Sequence, residues 1–155
     1  MTAALALILG IASGLRSMTP PAVVAWAAHF GWLRLGDTPL AFLESAPARY
    51  IFLVAMLAEL VSDKLSFTPA RTGAGPFTAR IVSGAFSGAA VAVGFGGSLV
   101  VGAAAGGLGA VAGTLGGYRA RTGLVRALGV ADFPVALLED LVAVGTALLV
   151  VAAGG

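Results

Sequence analysis

Ten residues near the start of the chain return near its end. Gly10-Ile-Ala-Ser-Gly14-Leu-Arg16-Ser-Met-Thr19 and Gly113-Thr-Leu-Gly-Gly117-Tyr-Arg119-Ala-Arg-Thr122 both read Gly-x3-Gly-x-Arg-x2-Thr. Each copy is followed by a second shared phrase, Val54-Ala-Met-Leu-Ala-Glu59-Leu-Val61 and then Val135-Ala-Leu-Leu-Glu-Asp140-Leu-Val142. A repeat that keeps both an arginine and a carboxylate restricts the fold to arrangements that give the two copies comparable surroundings. Small membrane transporters are often built in this way, with binding sites where the repeats meet.

The surroundings are lipid. Charged residues make up only 10% of the 155 residues and hydrophobic residues 59%, with a mean hydropathy of +1.00. A water-facing surface needs roughly a quarter of its residues charged, so the chain reads as an integral membrane protein in contact with the lipid bilayer. The absence of cysteine excludes disulfides, zinc–cysteine sites and thiol chemistry. The net charge of +2 comes from few groups, and no basic–aromatic cluster marks a nucleic-acid partner. The apolar run from Thr2 to Leu15 has no positive residue before it and flows into Arg16, so a retained helix is expected rather than a cleaved signal.

Five apolar segments follow from the pattern, and the expected fold is all-α, a polytopic membrane protein of about five transmembrane helices. The first runs from Ala3 to Ser17 and continues past Thr19, Pro20 and Pro21 toward Trp32 as a broken helix, since prolines remove donors and restrict the preceding residue. The others span about 48–65, 77–95, 98–118 and 133–153. Helices are preferred to barrel strands because no ten-residue alternation appears. Lys64, Arg71, Arg80, Arg119, Arg121 and Arg126 would share one side and Arg34 and Arg49 the other. The positive-inside rule then puts the N-terminus in the cytoplasm. A single transmembrane domain is expected, with repeat one over 1–65, a central helix over 77–95 and repeat two over 98–155. One crossing between the units would invert the second, giving an inverted-topology repeat.

Glu59 lies about 14 Å from the outer end of its segment at 1.5 Å per residue, and Asp140, with Glu139 beside it, lies at similar depth from the opposite face. Intramembrane carboxylates are costly and mark pathways by default, so Arg16, Glu59, Arg119, Glu139 and Asp140 are the candidate substrate or ion pathway. The alternative is that each arginine neutralises a carboxylate and fixes helix packing. Thr19, Pro20, Pro21 and Thr122 mark helix breaks, where free N–H groups at a new helix start could meet an anion. Gly10, Gly14, Gly84, Gly88, Gly113 and Gly117 read as close helix contacts. His29 lacks further ligands at metal spacing, so no metal and no cofactor is expected, and Trp26, Trp32 and Tyr50 fit an interfacial belt. No nucleophile–base pair can be assembled, which argues against an enzyme.

Gly14-Leu15-Arg16 followed by Pro20, Glu59-x3-Asp63-Lys64, and Arg80-x3-Gly84-Ala85 carry a resemblance over nearly the whole chain. It resembles the bacterial membrane proteins grouped as domain of unknown function 4126. The chain departs from that pattern at Leu65-Ser-Phe-Thr-Pro69, where the family continues with a proline-containing acidic segment. The resemblance implies a multi-pass protein of the bacterial inner membrane and brings no activity with it. From the residues themselves the leading expectation is a small channel or secondary transporter for an ion or small solute, working as a homo-oligomer. The alternatives are an accessory or scaffold subunit of a membrane complex, or a protein that handles lipid headgroups.

Overall fold

The computed structural model describes residues 1–62, 73–129 and 132–153, which form helices and connecting turns with no strand among them. The elements are α1 (Thr2–Leu15), α2 (Thr19–His29), a 3-10 turn (Ala41–Glu44), α3 (Ala46–Ser62), α4 (Ala74–Gly94), α5 (Leu99–Leu128) and α6 (Asp132–Ala152). Three of them, α4, α5 and α6, are long and apolar enough to cross a membrane. Leu108 on α5, with Leu141 and Leu149 on α6, is broadly exposed, as suits lipid-facing helices. Asp63, Lys64, the Leu65–Pro69 stretch and Arg71 lie outside the described residues.

The expectation of five crossings fails first at the opening segment. Arg16 leaves the helix in an extended conformation, φ −140° and ψ 114°, and Thr19 restarts it with Pro20 and Pro21 in the first turn. Proline is tolerated there because the missing N–H groups would have had no intrahelical acceptor. The chain then turns back instead of continuing. Thr2 packs against Gly97 and Leu33 against Gly94, while the Arg34 N–H donates to the Gly94 carbonyl at 3.4 Å. Both ends of the α1–α2 unit therefore sit at the C-terminal end of α4. Its midpoint, Ser17, meets Ser83, about 16 Å deeper along α4 at 1.5 Å per residue. The two short helices form a helical hairpin whose tip lies about midway along α4.

This fold-back changes the meaning of the repeat. The backbone of α1 lies against α5 in the same direction, with Leu7 at Gly109, Ile11 at Gly113 and Gly14 at Thr114. An inverted pair would run in opposite directions. The two Gly-x3-Gly-x-Arg-x2-Thr copies are therefore not related by a two-fold axis in the membrane plane. Copy two also lacks the break expected at Thr122, because Gly123 and Leu124 follow it where copy one has two prolines. There α5 stays helical, and Thr122 Oγ1 donates to the Tyr118 carbonyl at 2.8 Å.

The core is built on glycine. A Cβ placed on Gly10 of α1 or on Gly84 of α4 would run into the Gly106 carbonyl oxygen of α5, and one on Gly88 would meet Gly102 and Gly106. Three helices thus touch backbone to backbone around Gly106, an approach that small residues permit in membranes. Gly106→Val is expected to cost about 2–3 kcal/mol by overpacking. A thermal melt of the purified protein checks this, and an unchanged midpoint would mean that the helices have room to part.

Around the hairpin, Leu9, Val24, Ala28, Leu33 and Leu35 pack with Ala90, Val91 and Val151 into one apolar cluster. Trp26, Phe30, Trp32 and Tyr50 gather at the same end of the molecule as the α2 C-terminus. His29 is exposed there.

Candidate functional site

Non-helical backbone buried among apolar helices must find its hydrogen bonds within the protein. The hairpin tip does so with one polar side chain from each of the four helices that follow. From α3, the Glu59 carboxylate accepts the Ser17 N–H at 2.8 Å, the Ser17 hydroxyl at 2.6 Å and the Met18 N–H at 2.8 Å. From α4, Ser83 Oγ donates to the Ser17 carbonyl and lies 3.5 Å from Ser13 Oγ. From α5, Thr114 Oγ1 reaches the Gly14 carbonyl at 3.3 Å and its own Ala110 carbonyl at 2.8 Å. From α6, Asp140 forms a salt bridge with Arg16.

The charges sit where helix dipoles want them. The negative C-terminal end of α1 is followed at once by the Arg16 guanidinium, and the positive N-terminal end of α2 faces the Glu59 carboxylate. Arg16 is wholly buried and the Asp140 side chain is 13% exposed. Ionised groups this deep persist only when paired and hydrogen-bonded. Glu59 acts as a helix cap supplied by another helix, taking donors at the start of α2 that a side chain at its own N-cap does not bond.

Of the residues singled out in the sequence, Arg16, Glu59 and Asp140 converge on this tip, with Thr19, Pro20 and Pro21 forming its far shoulder. Arg119 does not. Because α5 continues unbroken, Arg119 falls on the exposed face of that helix, in register with Leu115 and Leu108. The paired arginine of the second half is its neighbour Arg121, which donates to Glu139 at 3.3 Å and to Asp132 at 2.7 Å. Glu139 is buried beside Gly117 and pairs with Arg121. Thr122 is spent on its own helix.

Ser83, Thr114, Arg121 and the backbone of Ser17 and Met18 carry roles that the sequence reading passed over. A signal existed for two of them. Ser83 precedes Gly84 and Thr114 follows Gly113, so each hydroxyl adjoins a close helix contact, where a neighbouring backbone comes within reach. Arg80 was read as a topology marker, yet its residue is only 4% exposed and sits one turn before Ser83.

Cavities approach the tip from several sides. One of about 160 Å³ between α5 and α6 runs from Leu124 and Val135 to Leu15, with Arg121 and Glu139 on its wall. A second of about 180 Å³ descends from Trp26, Trp32 and Val151 to Ala22, Val23 and Met56. A third of about 390 Å³ opens between α3 and α4 beside Met18, Pro21 and Ser83, with Phe52 and Phe86 along it.

No curated protein and no solved structure matches the chain. The family described as Domain of unknown function (DUF4126) matches residues 3–153, nearly the whole length, and the chain belongs to that family.

Proposed function

We propose that this protein is a small channel or carrier for an ion or small solute, with the hairpin tip as its working site. One observation carries the reading: Arg16, Asp140 and Glu59 meet at the middle of the membrane on a non-helical stretch between two half-helices. A packing role alone is met as well or better by apolar side chains, since a buried ion pair seldom stabilises more than its hydrophobic replacement. Half-helices whose ends meet at the midplane are the usual form of a transporter site. The cavities support the reading in part: α6 lines both, and Asp140 falls on the stretch from Val135 to Val142 that lines the first. One hairpin and three long helices barely enclose a pathway, so the reading includes a homo-oligomer.

The test is flux in liposomes holding the purified protein, measured for protons, potassium, sodium and chloride in turn. Glu59→Gln is expected to change the flux of one of them by at least about tenfold, the worth of one charge-assisted hydrogen bond at the tip. Equal flux in the two proteins would sink the assignment of the site. A wild type that carries nothing favours the second reading, an accessory subunit of a membrane complex, whose support is that each tip charge already has a partner within the chain.

Orientation follows from the same geometry. The C-terminal part of α5 bears Arg119, Arg121 and Arg126, and Lys64 and Arg71 fall in the α3–α4 connection. The positive-inside rule assigns that end to the cytoplasmic face of an inner membrane. Thr2 lies at the opposite end beside Gly97, so this reading has the N-terminus outside, where the count of five crossings puts it in the cytoplasm. The cysteine-free sequence makes the test direct. Thr2→Cys is expected to react with an impermeant maleimide from outside intact cells and Arg126→Cys only after lysis, and the reverse pattern would overturn the orientation.

A further inference from the structure

Among the described residues α3 is the least anchored helix. Ala48 is its one buried residue, and Ile51, Val54 and Val61 are each more than 60% exposed. It packs on α2 and the 3-10 turn, and it meets α4 through Phe52 against Phe86, whose ring centroids are 5.8 Å apart. The cavity of about 180 Å³ lies between it and α6, and the cleft of about 390 Å³ lies between it and α4. Two polar contacts tie it to the hairpin. Near its start the Arg49 guanidinium lies over the Trp26 and Tyr50 rings at 5.6 and 5.2 Å, with Nη1 at 2.5 Å from His29 Nδ1. Near its end Glu59 holds Ser17 and Met18.

We infer that α3 is a lateral gate, hinged at Arg49 and latched at Glu59, whose outward swing opens the hairpin tip to the cleft beside Met18 and Pro21. The inference rests on the reading of the tip as the working site. Its physical basis is a contrast in what moving each helix would break. Shifting α4 or α5 separates glycine-packed backbones, whereas shifting α3 exchanges a few hydrogen bonds at one carboxylate and little buried area. Segments with few buried contacts open at low free energy, and the Ser17 and Met18 donors freed from Glu59 would have to be taken up by the bound ion or solute, because lipid offers them no acceptor. The latch also sits directly on the tip, so its release and the exposure of Ser17 and Met18 are one event.

Two measurements on the full chain test the gate. In wild-type protein in lipid nanodiscs, the amides of α3 are expected to exchange with deuterium at least about tenfold faster than those of α4 and α5, as for a segment that opens locally. Equally slow exchange overturns the gate, and this measurement needs no variant to fold. Phe52→Cys with Phe86→Cys, bridged by a bifunctional methanethiosulfonate reagent that spans the gap left by the two rings, then pins α3 to α4, which is expected to stop flux until a reductant cleaves the bridge. Flux that persists in the fully cross-linked protein overturns the gate and leaves the transport reading standing. If the uncrosslinked protein carries no flux, the transport reading fails instead, and the exchange rates alone decide whether α3 opens.

Discussion

Asp140→Ala is expected to destabilise the protein by about 3–5 kcal/mol, the range for leaving one partner of a buried ion pair uncompensated. The size follows from where the other charge is left. Arg16 is wholly buried at the hairpin tip, held between α1 and α2 with no route to bulk water along its own short helix. A snorkelling arginine near a helix end could carry its head to the interface; this one stands about 16 Å from the end where its hairpin enters, at 1.5 Å per residue. Replacing both partners tests the explanation. Arg16→Met with Asp140→Leu removes the charges together and is expected to return to wild-type stability or above it, as buried pairs exchanged for apolar residues do. Unfolding by a denaturing detergent, compared across the two single variants and the double, measures the cycle. A double variant as unstable as Asp140→Ala would show that the tip requires charge for its fold. A stable double variant without flux would separate the cost of the pair from its use.

The second large effect concerns Glu59. Glu59→Ala strips the acceptor from the Ser17 and Met18 N–H groups and from the Ser17 hydroxyl. Each buried donor left without a partner costs about 1–3 kcal/mol, and rearrangement of the tip recovers part of this. A net loss of about 2–4 kcal/mol is expected on that basis. The α2 start should fray first, visible as faster amide exchange at Ser17, Met18 and Ala22 than anywhere in α4. Loss of stability with unchanged protection at those residues would place the role of Glu59 elsewhere. Glu59→Gln should fall between, since an amide offers one acceptor oxygen and turns a donor group toward the two N–H groups.

Much of this site was legible before the fold was known, and the reasons are physical. A carboxylate or arginine inside an apolar segment is rare because it is costly, so Arg16, Glu59 and Asp140 stood out by residue type alone. The prolines at 20 and 21 announced a break. They could not announce a direction, because a proline pair fixes local dihedrals and removes donors without choosing between passing on and folding back. That choice belongs to tertiary contacts, here Thr2 with Gly97 and Leu33 with Gly94. The same limit misled the comparison of the two repeated phrases. Their glycines and arginines match, but Gly123 and Leu124 keep α5 helical where Pro20 and Pro21 stop α1. Arg119 is thereby carried to the lipid-facing side, and Arg121 takes the inward position. Ser83 and Thr114 were harder to see, since a lone hydroxyl in a membrane helix can bond back to its own helix, and only the neighbouring backbone decides otherwise.

The order in which the tip receives its partners has a consequence for how the protein is made. Glu59, Ser83, Thr114 and Asp140 all follow the hairpin along the chain, in that order, one helix at a time. Until α6 emerges, Arg16 lacks the Asp140 carboxylate, and until α3 emerges the start of α2 lacks the Glu59 cap. A nascent α1–α2 pair therefore has its most favourable place near the headgroups, where water serves those groups. On that order of arrival the hairpin would settle among the other helices only after they have been made, as a late step of assembly.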